Sequence, residues 1–274
     1  MSLNKNLQIF CITNKKLNFF DNLEYNMVAV GKEKFPSNYI KCDNKQNIYY
    51  KEEYYSELTF HYWFWKNELN KYNNDTWIGF CQKRRFWLQK KNSLENNSKN
   101  DIKSKLLYTV PEEWKNFNSI ICDPIDLINP KFMKMIKRGW KNLIKDPSII
   151  FDKKKQTIKL HFDMFHGYGK IDQAINVMNE KDKDEFRNFI HNSTCFNPHI
   201  MFISKPDILN KWFTDVFNWL ERCEKVFGFK DLKGYDTKRL YAYLSERYLS
   251  FWFKKYSNSI EWPYIFVDTE KDNL

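Results

Sequence analysis

Apolar residues in this chain come in short blocks separated by polar stretches, and their spacing alternates between strand-like and helix-like. Leu7–Thr13 is a nearly continuous apolar run that predicts a first strand, and residues 25–30 predict a second. Residues 31–47 are polar, contain Pro36 and Asp43, and read as a connection. Over residues 51–72 the period becomes helical. Tyr54, Glu57, His61, Phe64, Trp65 and Glu68 recur three and four apart on one face. A short apolar strand at 77–81 follows and delivers Lys83, Arg84 and Arg85 at its carboxyl end.

Residues 89–105, rich in Lys, Asn and Ser, predict a surface loop, and 118–122 another strand. Residues 130–145 fit a helix opened by Pro130. Residues 158–165 alternate apolar and polar side chains, which predicts a strand. Helices are expected at 170–178, 181–192, 206–227 and 235–256, and strands at 200–204 and 263–267. Alternation of the two periods argues an α/β fold with a mixed, mainly parallel sheet flanked by helices. No repeat or linker divides the chain, so residues 1–274 are expected to form one domain.

Composition narrows the class. At 274 residues, with 42% hydrophobic and 18% aromatic content, the chain can bury a large core. Only 7 glycines and 8 prolines exclude a collagenous or loop-dominated chain. The six cysteines, at 11, 42, 81, 122, 195 and 223, include no C-x-x-C pair, so neither a disulfide framework nor a zinc site is expected. A cytoplasmic protein follows, without a signal peptide or an apolar run long enough to span a bilayer. The net charge of +11 fits three partners: nucleic acid, an anionic membrane surface or a phosphorylated small molecule.

Two adjoining segments carry a resemblance. Glu57-Leu-Thr-Phe-His-Tyr-Trp-Phe-Trp-Lys-Asn67 and Ile78-Gly-Phe-Cys-Gln-Lys-Arg-Arg-Phe-Trp87 resemble ELT-x-x-YW-x-WKN and IG-x-x-x-x-RR-[FY] segments. These mark a bacterial family of capsular and exopolysaccharide gene clusters, catalogued as a domain of unknown function and described as glycosyltransferases. Weaker matches continue through Val28–Gly31, Phe162–Gly167, Phe196–Ser204 and Leu244–Leu249. The resemblance implies a single GT-A-like, Rossmann-like domain, with a nucleotide-binding half at about 1–125 and an acceptor-side half at about 126–274. It implies transfer of a sugar from a nucleotide-diphosphate donor to a surface glycan or lipid-linked glycan, at most peripherally on a membrane. Nucleic acid is then not an expected partner. A basic nucleic-acid-binding protein and a catalytically silent subunit of a polysaccharide assembly complex are the alternatives.

Such transferases normally end a central strand in D-x-D, whose carboxylates hold a divalent metal against the leaving diphosphate. Here the corresponding strand ends in Lys83-Arg84-Arg85. Guanidinium groups meet phosphate oxygens bidentately and stay charged, so Arg84 and Arg85 are candidates to stabilise the diphosphate without metal. Asp123 and Asp126, after another strand, are the alternative ligands for Mg²⁺ or Mn²⁺, or simply a turn. Thr13 and Asn14, at the end of the first strand, are nucleotide-side candidates. Glu57 and His61, one helical turn apart, either anchor a structural network or touch the donor sugar.

His161, Asp163 and His166 form a second group, beside Gly167 and Gly169. His166, then Asp163 or Glu57, is the candidate catalytic base for the attacking hydroxyl. His161, Asn197 and His199 are candidate sugar contacts, and the Phe196-Asn-Pro-His199 run is similar to an F-N-x-x motif before a strand in several GT-A enzymes. Arg247, on the apolar stripe of Leu240, Leu244 and Phe251, is a candidate phosphate contact. Glu246 is either its structural partner or an acceptor-side residue.

Overall fold

Helical and strand segments alternate along the chain, and the side chains explain where each begins and stops. The computed structural model describes residues 6–16, 19, 23–90 and 102–268. The strands are β1 (Leu7–Thr13), β2 (Asn26–Ala29), β3 (Ile40–Lys41), β4 (Trp77–Gln82), β5 (Arg85–Trp87) and β6 (Ser119–Cys122). They continue with β7 (Ile125–Asp126), β8 (Cys195–Phe196), β9 (Phe202–Ser204), β10 (Ser259–Trp262) and β11 (Tyr264–Phe266). The α-helices are α1 (Glu52–Tyr55), α2 (Leu58–Asn67), α3 (Phe132–Lys145), α4 (Ile158–His166) and α5 (Lys170–Asn176). After them come α6 (Glu180–Asn192), α7 (Pro206–Phe227), α8 (Tyr235–Lys238) and α9 (Leu240–Tyr256). Among the described residues none of these helices is long and apolar enough to cross a membrane.

The described residues fall into two compact units. One comprises Met1–Asp123, His199–Phe213 and Phe253–Leu274; the other Pro124–Pro198 and Thr214–Trp252. The first holds the large sheet, in the order β10-β6-β9-β4-β1-β2-β3, with β5 joining β4 and β11 pairing β5. Strands β1, β2, β3 and β4 are mutually parallel, and β10 is parallel to β6. Strand β9 is antiparallel to both β4 and β6, so β6 and β10 run in the same direction as β4. This is the mainly parallel α/β sheet that the alternating pattern predicts.

Every residue of β1 is buried, as a strand covered on both faces requires. Phe10 packs on α2, with ring centroids 5.5 Å from Phe60 and 4.9 Å from Phe64. Leu7, Ile9 and Cys11 face the opposite core, with Trp77, Trp114, Ile203 and Trp262. Gly79 marks the tightest point of β4: a Cβ there would lie 2.6 Å from Ile9 Cδ1 and 2.7 Å from Ile203 Cγ1. Gly79→Val is expected to cost about 1–3 kcal/mol through overpacking, read as a lower urea midpoint with unchanged slope.

Three elements differ from the sequence reading. The helix expected over residues 51–72 is two helices, because Ser56 takes φ +51° and ends α1. The Ser56 carbonyl then accepts the Thr59 hydroxyl (2.8 Å) and starts α2. Similarly, α8 and α9 replace one helix over 235–256, with the break at Arg239. Residues 158–165 are not a strand but helix α4, capped by Thr157, whose hydroxyl accepts the Leu160 amide. Its apolar alternation has a physical origin. Leu160 and Met164 pack with Met135 of α3, while Ile158, Phe162 and His166 bury a second face. A helix covered on two sides thus imitates period two. On α4, His161 and Asp163 lie about 200° apart and share no face. Strand β10 is an element the periodicity did not predict, and most of the expected 89–105 loop lies outside the described residues.

The second unit is mainly helical, with the two-stranded β7–β8 ladder. Buried polar side chains tie its helices together. Tyr248 OH donates to Asp182 Oδ2 (2.6 Å), Trp252 Nε1 to Asp215 Oδ2 (2.9 Å) and Trp219 Nε1 to the Ala174 carbonyl (2.8 Å).

Candidate functional site

Parallel strands bring their carboxyl ends to one edge, and where neighbouring connections leave in opposite directions a crevice opens there. In the first unit β1 leads outward to β2 and β3, whereas β4 lies on the other side of β1. The switch point therefore falls between the carboxyl ends of β1 and β4. It is bounded by Thr13 and Asn14 on one side and Lys83 and Arg84 on the other.

The backbone there is tightly held. Val30 N donates to the Thr13 carbonyl (2.9 Å), and Lys83 N to the Ile12 carbonyl (3.2 Å). The Thr13 hydroxyl is used locally, donating to the Lys15 carbonyl (2.6 Å) and accepting from Lys15 N (3.0 Å). Thr13 thus shapes the turn, and half-buried Asn14 is left as the polar side chain of β1's end. After β2, Gly31 adopts φ +85°, and its carbonyl accepts the Tyr49 hydroxyl. Burial, with Cys42 next in size, raises the Tyr49 pKa, so the phenol stays a donor at neutral pH.

Lys83 and Arg84 form the tight turn from β4 into β5. The turn is secured at its far side by Val267 N donating to the Arg84 carbonyl (2.9 Å). The Arg84 guanidinium lies 3.6 Å from Asp268, with about a third of the side chain exposed. Arg85 donates to Gln82 Oε1 (3.2 Å), and its guanidinium sits 5.5 Å from the Phe266 ring. Three adjacent cations on a braced turn make this edge suited to a polyanion. A separate cleft of about 590 Å³ at the amino-terminal edge of the sheet is lined by Trp77, Pro111, Trp114, Phe117 and Lys205. There Lys205 is engaged by the Trp77 ring at 4.1 Å and by the Asp75 carbonyl at 2.7 Å.

His61 is in neither place. It is fully buried between Phe80, Phe202 and Phe213, with ring centroids at 4.4, 5.4 and 5.9 Å. Among the described residues neither ring nitrogen has a hydrogen-bond partner, and burial pushes the pKa down to about 3. The structure thus puts this histidine in the core as a neutral aromatic. Glu57, half-buried, immediately precedes α2; its carbonyl accepts Phe60 N (3.1 Å) and His61 N (3.3 Å). His199, with φ +68°, hydrogen-bonds the Tyr264 hydroxyl through Nε2 at 3.3 Å. Asp123 and Asp126 are both exposed but belong to different units. Among the described residues no three His, Cys, Asp or Glu side chains group as metal ligands would.

The second unit gathers the other candidates. Arg247 of α9 is almost fully buried and forms an ion pair with Glu246. Its Nη2 donates to His161 Nδ1 (3.2 Å), and its plane lies 3.9 Å from the Phe196 ring. Burial lowers the guanidinium pKa, and Glu246 opposes that shift. Because Nδ1 accepts from Arg247, His161 is neutral, and burial holds its pKa down to about 3. His166 stacks on Tyr243 at 3.6 Å, and its Nδ1 donates to the Asp236 carbonyl (3.0 Å). Burial, then the Arg247 charge, lowers the His166 pKa to about 4. That hydrogen bond selects the tautomer whose Nε2 carries the lone pair, the arrangement a proton acceptor needs.

Asp163 and Asn197 have structural partners instead. Asp163 pairs with Lys159 (2.6 Å) and accepts Gly169 N (2.9 Å), which fixes the turn into α5. Asn197 is fully buried; its Oδ1 accepts the Ser250 hydroxyl (2.6 Å), and its backbone N–H donates back to Ser250 Oγ (3.1 Å). The structure therefore brings together His161, His166, Glu246 and Arg247, and separately Thr13, Asn14, Arg84 and Arg85. Tyr243 is a member of the first group that the sequence reading missed. Its position four residues before Arg247, on one face of α9, was the available signal.

The first unit is thus a mainly parallel α/β sheet with a basic turn at its switch point. The chain belongs to the family described as "Domain of unknown function (DUF4422)", whose model matches residues 8–258. Among solved structures it is similar to one titled as the apo structure of the bifunctional glycosyltransferase WbbM, with a TM-score of 0.70 and 17% identity. The match covers 96% of this chain but 45% of that one, so the chain spans under half the length of that structure. No curated protein matches.

Proposed function

We propose that the chain is a glycosyltransferase that takes a sugar from a nucleotide-diphosphate donor and passes it to a surface glycan, of capsular, exopolysaccharide or lipopolysaccharide type. The observation that carries the reading is the Lys83-Arg84 turn at the switch point, where a GT-A sheet presents its donor's diphosphate. The family and the fold shared with a protein titled as a glycosyltransferase support it.

In this reading Arg84, with Arg85 beside it, faces the diphosphate, and Asn14 faces the nucleotide. When the bond from the anomeric carbon to the diphosphate oxygen breaks, negative charge grows on that oxygen. A fixed guanidinium is worth most at that moment, because it is already oriented. Within the second unit taken by itself, His166, neutral and with its Nδ1–H committed to the Asp236 carbonyl, is the side chain with the chemistry of a proton acceptor. We assign the donor step to these cations without a divalent metal; Asp123 is the carboxylate to test if Mn²⁺ or Mg²⁺ proves necessary.

A thermal-shift screen of UDP, GDP, CMP and their sugars, each with EDTA or Mn²⁺, tests this. A ligand of the native state raises the melting midpoint by mass action. The expected result is stabilisation by one nucleotide that survives EDTA. Stabilisation only with Mn²⁺ would sink the metal-free step, and no shift with any nucleotide would sink the transferase reading.

A further inference from the structure

Helix α3 exposes side chains that a solvated helix normally hides. At about 100° per residue its 14 positions divide into three sectors. Met135 and Gly139 are buried, with Leu143 partly so, and this face meets α4, where Met164 lies 3.3 Å from the position of a Gly139 Cβ. The adjoining sector carries Ile136, Trp140, Met133 and Ile144, which are 40, 52, 73 and 71% exposed. The third carries Lys137, Lys141, Lys134, Lys145 and Arg138, and the helix has no acidic residue. Arg138 pairs with Asp236 at 2.9 Å, but none of the four lysines has a carboxylate partner among the described residues. Beyond the helix, Phe151 is 87% exposed and Lys153 and Lys154 follow it.

We infer that α3 is an in-plane membrane anchor: its Met133–Ile136–Trp140–Ile144 stripe enters the acyl boundary of an anionic lipid surface while its lysines meet the headgroups. An apolar arc beside a purely basic arc is the charge and hydropathy pattern of interfacial helices. Charge complementarity selects this occupant. A second copy would set one basic arc against another. Nucleic acid would satisfy the lysines but not methionine and isoleucine side chains, which cannot stack on bases. The inference does not depend on which sugar, if any, is transferred.

Co-sedimentation of the full chain with vesicles tests it, using phosphatidylcholine alone and phosphatidylcholine containing about one third phosphatidylglycerol, at low and high salt. The wild type is expected to partition into the anionic vesicles only, and to lose binding in high salt. Met133→Glu with Ile144→Glu, and separately Lys134→Gln with Lys137→Gln and Lys141→Gln, are each expected to lower partitioning by about tenfold or more. All these side chains lie outside the core, so unchanged circular dichroism and melting midpoint verify the fold. Absence of vesicle binding by the wild type overturns the inference, as does equal binding to neutral vesicles. A dimer that the Met133/Ile144 variant dissociates, without vesicle binding, overturns it in favour of a second copy. Retention on single-stranded RNA without vesicle binding overturns it in favour of nucleic acid.

Discussion

Arg84→Gln is expected to lower transfer from the nucleotide-sugar donor by about 10²–10³-fold in kcat/KM, the loss typical of removing one fixed donor to a developing negative charge. Arg84→Lys is expected to recover only part of it, because an ammonium offers a point charge where the guanidinium offers two parallel donors. Stability is a poor alternative explanation for such a loss. The Arg84–Asp268 contact is 3.6 Å long and a third exposed on the arginine side. Partly exposed pairs of this kind contribute about 0–1 kcal/mol, so the urea midpoint of Arg84→Gln should stay near that of the wild type. Full activity in Arg84→Gln would remove the basic turn from the donor step.

Acidification is expected to destabilise the protein steeply between about pH 6.5 and pH 4. His61 and His161 have pKa values pushed to about 3 and His166 to about 4, each chiefly by burial. In the unfolded chain the ordinary value is about 6.5. Below that pH the unfolded state binds protons that the native state refuses, so stability is fully present above about 6.5 and is lost as pH falls toward the native values. Each such group contributes a slope of up to ~1.4 kcal/mol per pH unit. Urea midpoints at pH 7, 6, 5 and 4 measure the total. His61→Phe isolates one contribution: its pocket is lined by Phe80, Phe202 and Phe213, and neither nitrogen is satisfied among the described residues. The variant should be more stable than the wild type by roughly 1–3 kcal/mol at pH 7, and by more at pH 5. A destabilised His61→Phe that also loses donor binding would instead return His61 to the ligand site.

Much of this architecture was legible in the chain, for reasons that vary by element. Strands β1, β4 and β6 are apolar runs that only a doubly covered strand tolerates, and α7 opens with proline at its first turn. The basic turn was legible because three cations directly follow an apolar strand. Helix α4 was misread because burial on two sides gave it a strand's alternation, and local periodicity does not tell one buried face from two. The same limit affected His61. Its place on the aromatic stripe of α2 was evident, but whether that stripe meets a ligand or Phe80 depends on which strand lies beneath it. The partners of Asp163 and Asn197, Gly169 N and Ser250 Oγ, are set by a turn and by tertiary packing that spacing does not encode. The exposed apolar stripe of α3 was visible only as helical periodicity, because exposure, not spacing, separates its outer sector from its core sector.

The most direct test of the donor site is calorimetric titration, in EDTA, of the nucleoside diphosphate selected by the thermal-shift screen into the wild type and into Arg84→Gln. Saturable binding to the wild type without metal is expected, weakened about tenfold or more in the variant, in line with loss of a charge-assisted bidentate contact. Equal affinity in the two proteins, or binding that appears only when Mn²⁺ replaces EDTA, would contradict it.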